Sequence, residues 1–90
     1  MQIIYKYKLT GMKTTLRLPK QSVFLNAAID PSNELVVYVK QLKEYYEIED
    51  RNIVMYGTGW EIPEDKMLNY ISTVKQDICM WHIFEDTTNV

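Results

Sequence analysis

The sequence predicts an all-β fold: about seven antiparallel strands in a single small sandwich or partly open barrel, with at most one short helix. Three observations carry the prediction. Apolar and polar residues alternate with a period of two over successive short stretches. Turn-forming clusters, Gly11-Met12, Asp30-Pro31-Ser32-Asn33 and Gly57-Thr58-Gly59, separate those stretches. Seven tyrosines and two tryptophans in 90 residues point the same way, because flat, bulky side chains suit a pleated, half-buried surface.

The first strand is read over residues 2–10, with Ile3, Tyr5, Tyr7 and Leu9 on one face and Gln2, Ile4, Lys6, Lys8 and Thr10 on the other. After the short Gly11-Met12 turn, Thr14, Leu16 and Leu18 alternate with Lys13, Thr15 and Arg17, so the two strands are expected to form a hairpin. Pro19 ends the second strand because it has no amide hydrogen to give the ladder. A third strand over 23–29 places Val23, Leu25, Ala27 and Ile29 together, with Phe24 and Ala28 opposite. Asp30-Pro31-Ser32-Asn33 then supplies a carboxylate for onward amides, a preset φ and an asparagine tolerant of the left-handed region, so the fourth strand, residues 35–40, should hairpin with the third. Residues 41–51 read as a long exposed, acidic hairpin tip or one helical turn. A strand over 52–56 runs into the glycine turn, Pro63-Glu64-Asp65 resembles a helix start with room for one or two turns, and strands over 70–75 and 78–84 follow, joined by Gln76-Asp77. Residues 1–85 form one β domain in this reading, and 86–90 a polar C-terminal tail.

Hydrophobic residues at 47% and charged residues at 24% match globular averages, which disfavours a disordered chain and a membrane class. The net charge of −2, with scattered lysines and arginines, gives no general attraction to a phosphate backbone, so nucleic acid is not expected as a direct partner. No stretch approaches the ~20 apolar residues a membrane helix needs. The single Cys79 fits a reducing compartment and is read as a small packed hydrophobe, and the expected location is cytoplasmic. Homo-oligomerisation is left open.

No constellation of catalytic residues emerges, and the expectation is a protein that is not an enzyme and carries no cofactor. The single histidine, His82, shares a face with Ile78, Met80 and Phe84 and reads as a half-buried, hydrogen-bonded residue. One Cys and one His fall short of a zinc site. Carboxylates in 44–50, 61–65 and 85–86 read as solvated loop residues. Gly57-Thr58-Gly59 lacks the third glycine of a dinucleotide fingerprint and the lysine of a phosphate loop. Trp81, alternating with Cys79 and Ile83, is expected in the core on the face opposite His82; Trp60 either plugs the core or presents a surface anchor. The candidate binding residues are Tyr45, Tyr46 and Glu49 in the acidic segment and Gly57, Thr58, Gly59 and Trp60 at the glycine turn.

Ile4-Tyr5-Lys6-Tyr7, Leu18-Pro19, Gly57-Thr58-Gly59, Tyr70-Ile71-Ser72-Thr73-Val74 and Trp81-His82-Ile83-Phe84-Glu85 together resemble a family of short phage and prophage proteins of unknown function. Ser72 stands where that family more often has glycine. The resemblance implies a virus-encoded or prophage-encoded accessory protein and brings no catalytic residues with it. The expected function is binding a host protein, as an inhibitor of a host defence system. The alternatives are a binder of a nucleotide signal, using the glycine turn, Trp60 and a basic residue such as Arg17 or Arg51, and a minor structural protein.

Overall fold

Inward apolar rows two residues apart are buried here by stacking one sheet on another. The structure, a computed structural model, describes residues 1–44 and 47–88. Seven strands form: β1 Gln2–Lys8, β2 Lys13–Pro19, β3 Val23–Ile29, β4 Leu35–Leu42, β5 Ile48–Gly57, β6 Leu68–Gln76 and β7 Cys79–Asp86. They make a three-stranded antiparallel sheet in the order β1-β4-β3 and a four-stranded one in the order β2-β5-β7-β6, which pack as a sandwich and do not close into a barrel. Leu18, Val37, Val39, Ile53 and Ile83 are wholly enclosed between the sheets, joined by Leu16, Leu35, Met55 and Val74. Each such side chain contributes roughly 1.5–3 kcal/mol by leaving water.

The expected β1–β2 hairpin does not form. β1 pairs with β4 and β2 with β5, so Gly11-Met12 carries the chain from one sheet to the other. Alternation defines which face of a strand is apolar and leaves its partner open. The β3–β4 hairpin is present, and its turn follows the chemistry of its residues. Asp30 Oδ1 accepts the amides of Ser32 and Glu34 at 3.0 and 2.9 Å, and Asn33 takes φ 64°. Lys6 Nζ, 2.6 Å from Asp30 Oδ2, closes the site; its hydrogen bond and the Glu34 amide hold the carboxyl below the usual aspartate range.

Two bulges move side chains between faces. In β3 the register shifts between Phe24 and Asn26, so Phe24 joins Ala27 and Ile29 against the core while Val23 and Leu25 are exposed. The expected common face of Val23, Leu25, Ala27 and Ile29 is broken there by the extra residue. In β6 the shift falls between Tyr70 and Ser72. The bulged edges of β3 and β6 meet: Ser72 Oγ accepts the Ala27 amide at 2.8 Å and donates to Asn26 Oδ1.

Residues 41–51 are neither a hairpin tip nor a helical turn at their described positions. β4 runs on to Leu42, β5 begins at Ile48, and the connection passes between sheets. Arg51 is not a free basic residue: its Nη2 donates to Glu85 Oε1 at 2.9 Å, its Nε to Glu85 Oε2, its Nη1 to Ser22 O at 3.0 Å, and its guanidinium lies 4.7 Å from the Phe24 ring centroid. Glu85 and Asp86, expected as solvated loop carboxylates, are both in β7. Asp86 is buried beside Lys66, its carboxyl lowered chiefly by the Thr88 hydroxyl and amide. Residues 86–88 therefore do not form a loose tail, since the Thr87 amide donates to Met67 O at 2.8 Å and Thr88 Oγ1 accepts the Met67 amide at 2.9 Å; residues 89 and 90 lie outside the described residues. The described residues contain no helix. The segment expected to give one or two helical turns closes a single turn through Lys66 N–H to Pro63 O at 3.2 Å, too short for a helical nucleus to propagate.

β5 and β6 both run antiparallel to β7, which lies between them, so they are parallel to each other. Residues 58–67 therefore return the chain along the length of the sheet, and where this crossover leaves β5 it builds the candidate site.

Candidate functional site

The glycine turn folds as the spacing of its residues dictates. The Trp60 amide donates to Gly57 O at 3.1 Å and Gly59 takes φ 86°, a conformation that an L side chain rarely adopts. Gly57 serves a different need. A Cβ there would lie 2.8 Å from Cε2 and Nε1 of Trp60, so only a glycine lets the indole rest on the strand end. Trp60 meets Trp81 edge to face, with centroids 5.4 Å apart at 86°, and keeps 53% of its surface exposed. It caps the end of the sheet and does not plug the core. Trp81 is half-buried against the core, less enclosed than expected, because it stands at the strand end between two open depressions.

The turn is pinned on its other side by His82. Nε2 is 2.8 Å from Thr58 Oγ1, Nδ1 is 3.1 Å from Thr73 Oγ1, and Thr73 Oγ1 is 2.8 Å from the Tyr70 hydroxyl. Either imidazole nitrogen can donate or accept toward a hydroxyl, so both are satisfied in the neutral ring. A hydroxyl beside an imidazole is the start of a nucleophilic dyad, but the group that orients this ring is another hydroxyl, and no carboxylate bonds it among the described residues. What the chain of four groups does is brace the turn to β7 and β6.

Next to this brace the β6–β7 hairpin turns through Asp77, at φ 55°, and Ile78. The connection is one residue later than Gln76-Asp77, and Ile78, expected in the strand beside His82, is the hairpin tip with 97% of its surface exposed. Cys79 is exposed as well, at the strand's first position, and does not pack as a core hydrophobe. Between tip and turn lies a depression of about 320 Å³ lined by Gly57, Thr58, Trp60, Ile78, Cys79, Met80 and Trp81. Trp81 also walls a second depression of about 390 Å³, shared with Met12, Leu35, Met55 and Gln76 at the same end of the sandwich.

Of the sequence-predicted binding residues, Gly57, Thr58, Gly59 and Trp60 come together here. Glu49 does not join them. It stands opposite Leu18 near the start of β5, half-buried and about 26 Å from Gly57 by the usual rise per strand residue. Tyr45 and Tyr46 lie outside the described residues. The acidity expected of that segment is offset, because Glu47 pairs with Lys20 at 3.1 Å and Asp50 with Arg17 at 3.4 Å. These pairs also engage Arg17, and Arg51 is held by Glu85, so neither arginine is directed at the glycine turn. Sequence reasoning missed Ile78 and Met80 as surface groups. The one signal available was Asp77, a residue type that tolerates positive φ at a tight turn.

The chain belongs to the family DUF7352, a domain of unknown function, which matches residues 1–90. No curated protein and no solved structure matches it.

Proposed function

We propose that this member of the DUF7352 family is a non-enzymatic accessory protein of a phage or prophage that binds a host protein in the cytoplasm and thereby inhibits a host defence system. The assignment to phage rests on the sequence resemblance, carried by the Tyr-Lys-Tyr, glycine-turn and β6–β7 segments. The observation that carries the binding role is the cluster at the glycine-turn end. Trp60, Ile78 and Met80 are large apolar groups held in water around a depression whose backbone is fixed by the Thr58–His82–Thr73 hydrogen bonds. Exposed aromatic and aliphatic anchors on a braced β-scaffold are the residue types that dominate interface energetics, and their preorganisation lowers the entropy lost on association.

The test is affinity capture from a lysate of the bacterial host, comparing wild type with an Ile78→Asp/Met80→Asp variant whose melting is first shown to be unchanged. A host protein retained by wild type and lost by the variant supports the reading. Capture of the same protein at the same level by both excludes this surface, and a nucleotide released from the purified protein in place of any captured protein would favour the small-molecule alternative.

A further inference from the structure

A sandwich of two open sheets has four edges, and three of these are closed or guarded. β3 and β6 carry bulges and lean on each other through Ser72, Ala27 and Asn26. β2 is guarded by composition. Met55 N–H bonds Met12 O and Lys20 N–H bonds Glu47 O, so the even residues of β2 face β5 and the odd ones, Lys13, Thr15, Arg17 and Pro19, face outward. Two cations and a proline without an amide hydrogen are the usual defences of an edge against pairing.

β1 lacks them. The bonds Leu9 N–H to Leu35 O and Lys43 N–H to Met1 O direct the odd residues of β1 at β4 and leave the amides and carbonyls of Gln2, Ile4, Lys6 and Lys8 on the open edge. β1 has no bulge and no proline, and its lysines are turned aside into pairs with Asp30 and Glu34 at 2.6 and 2.8 Å. It shows apolar surface on both faces, with Ile4 57% exposed on the outer face and Tyr5 44% exposed on the inner one.

We infer that β1 is a strand-addition edge whose occupant is β1 of a second copy, joined antiparallel about a two-fold axis through Tyr5. That register pairs every open-edge residue of the strand with an open-edge residue of the partner. Ile4 meets the partner's Lys6 and Gln2 the partner's Lys8, using every open amide, with a lysine stem lying against an isoleucine. On the inner face Tyr5 meets the partner's Tyr5, and Ile3 meets the partner's Tyr7. Sliding by one pair in one direction sets Lys6 against the partner's Lys6, like charges face to face, and in the other direction leaves Lys8 without a partner. The product is one continuous sheet with three strands from each copy.

The test is sedimentation of the full chain with Ile4→Pro, which removes an amide that faces the open edge and none that serves β4. Wild type is expected to sediment as a dimer at about 50 μM and the variant to raise the dimer Kd at least tenfold, with melting unchanged at low concentration. As a second measurement, Tyr5→Cys in a Cys79→Ser background should oxidise to a cross-linked dimer, because non-hydrogen-bonded partners sit about 4.5 Å apart at Cα, within disulfide reach. Ile3→Cys in the same background should not, since it faces Tyr7. A monomeric wild type at that concentration, a dimer equally tight with Ile4→Pro, or cross-linking by Ile3→Cys as fast as by Tyr5→Cys overturns the inference.

Discussion

Substituting Gly57 by alanine isolates the contact on which the candidate site is built. Gly57 lies outside the positive-φ region, so the backbone accepts a side chain and the whole penalty comes from the indole. A methyl group 2.8 Å from Cε2 and Nε1 of Trp60 cannot be accommodated unless the ring leaves. Departure forfeits the edge-to-face contact with Trp81, about 0.5–1.5 kcal/mol. Uncovering roughly 40 Å² of apolar surface adds about 1 kcal/mol. Against this, alanine restricts the unfolded chain and returns about 0.4–1 kcal/mol. The net cost is about 0.5–2 kcal/mol, a fall in Tm of roughly 2–16 °C for a domain of this size. Thermal melts followed by circular dichroism give the cost, and tryptophan emission should shift to the red as Trp60 enters water. In a Trp60→Ala background nothing is displaced, and the same Gly57→Ala change should be neutral or slightly stabilising. An equal cost in both backgrounds, or a wild-type melt for Gly57→Ala alone, refutes the account.

Arg51→Met should destabilise by about 3–5 kcal/mol in chemical denaturation, because it strands Glu85 in a nearly dry site, and adding Glu85→Leu should restore most of the loss. Ser72→Ala leaves the buried Ala27 amide without its acceptor and should cost about 1–3 kcal/mol. Stability should also fall in acid. The carboxyls of Asp30 and Asp86 are lowered from 3.8 in the folded state, so the unfolded chain takes up protons first as pH drops. Their contribution is complete above that value and is lost as pH falls through the folded-state values. Asp30→Asn should flatten part of this dependence in urea midpoints measured across the acid range.

Strand positions were legible because a period of two survives any choice of neighbour, and β3–β4 was legible as a hairpin because Asp30 and Asn33 specify the turn locally. β1–β2 looked equally local, yet its short connection bridges two sheets. Nothing in Gly11-Met12 distinguishes those outcomes. The inversion at Leu25 and the exposure of Ile78 each depend on a one-residue shift, which alternation alone does not resolve. At the candidate site, Trp60 and the glycines could be read as a unit because they are contiguous. The hydroxyls that brace His82 could not, since Thr58 and Thr73 come from separate segments and threonine carries no distinctive spacing. Glu85 reads as a solvated terminal carboxylate because its partner, Arg51, lies on the neighbouring strand, far away in sequence.

The position of β7 has a consequence for how the molecule is made. The strand that comes last in chain order stands in the interior of the larger sheet, between β5 and β6. The β1-β4-β3 sheet has all its strands by Leu42 and can form as soon as they are synthesised. β5 and β6, although consecutive, have no ladder between them until Cys79–Asp86 arrives. At about 5–20 residues per second, β5 waits on the ribosome for seconds with one edge bare. During that interval the β7 of a completed copy would fit the vacancy as well as the chain's own, so a chain whose β7 has not yet docked is open to strand exchange.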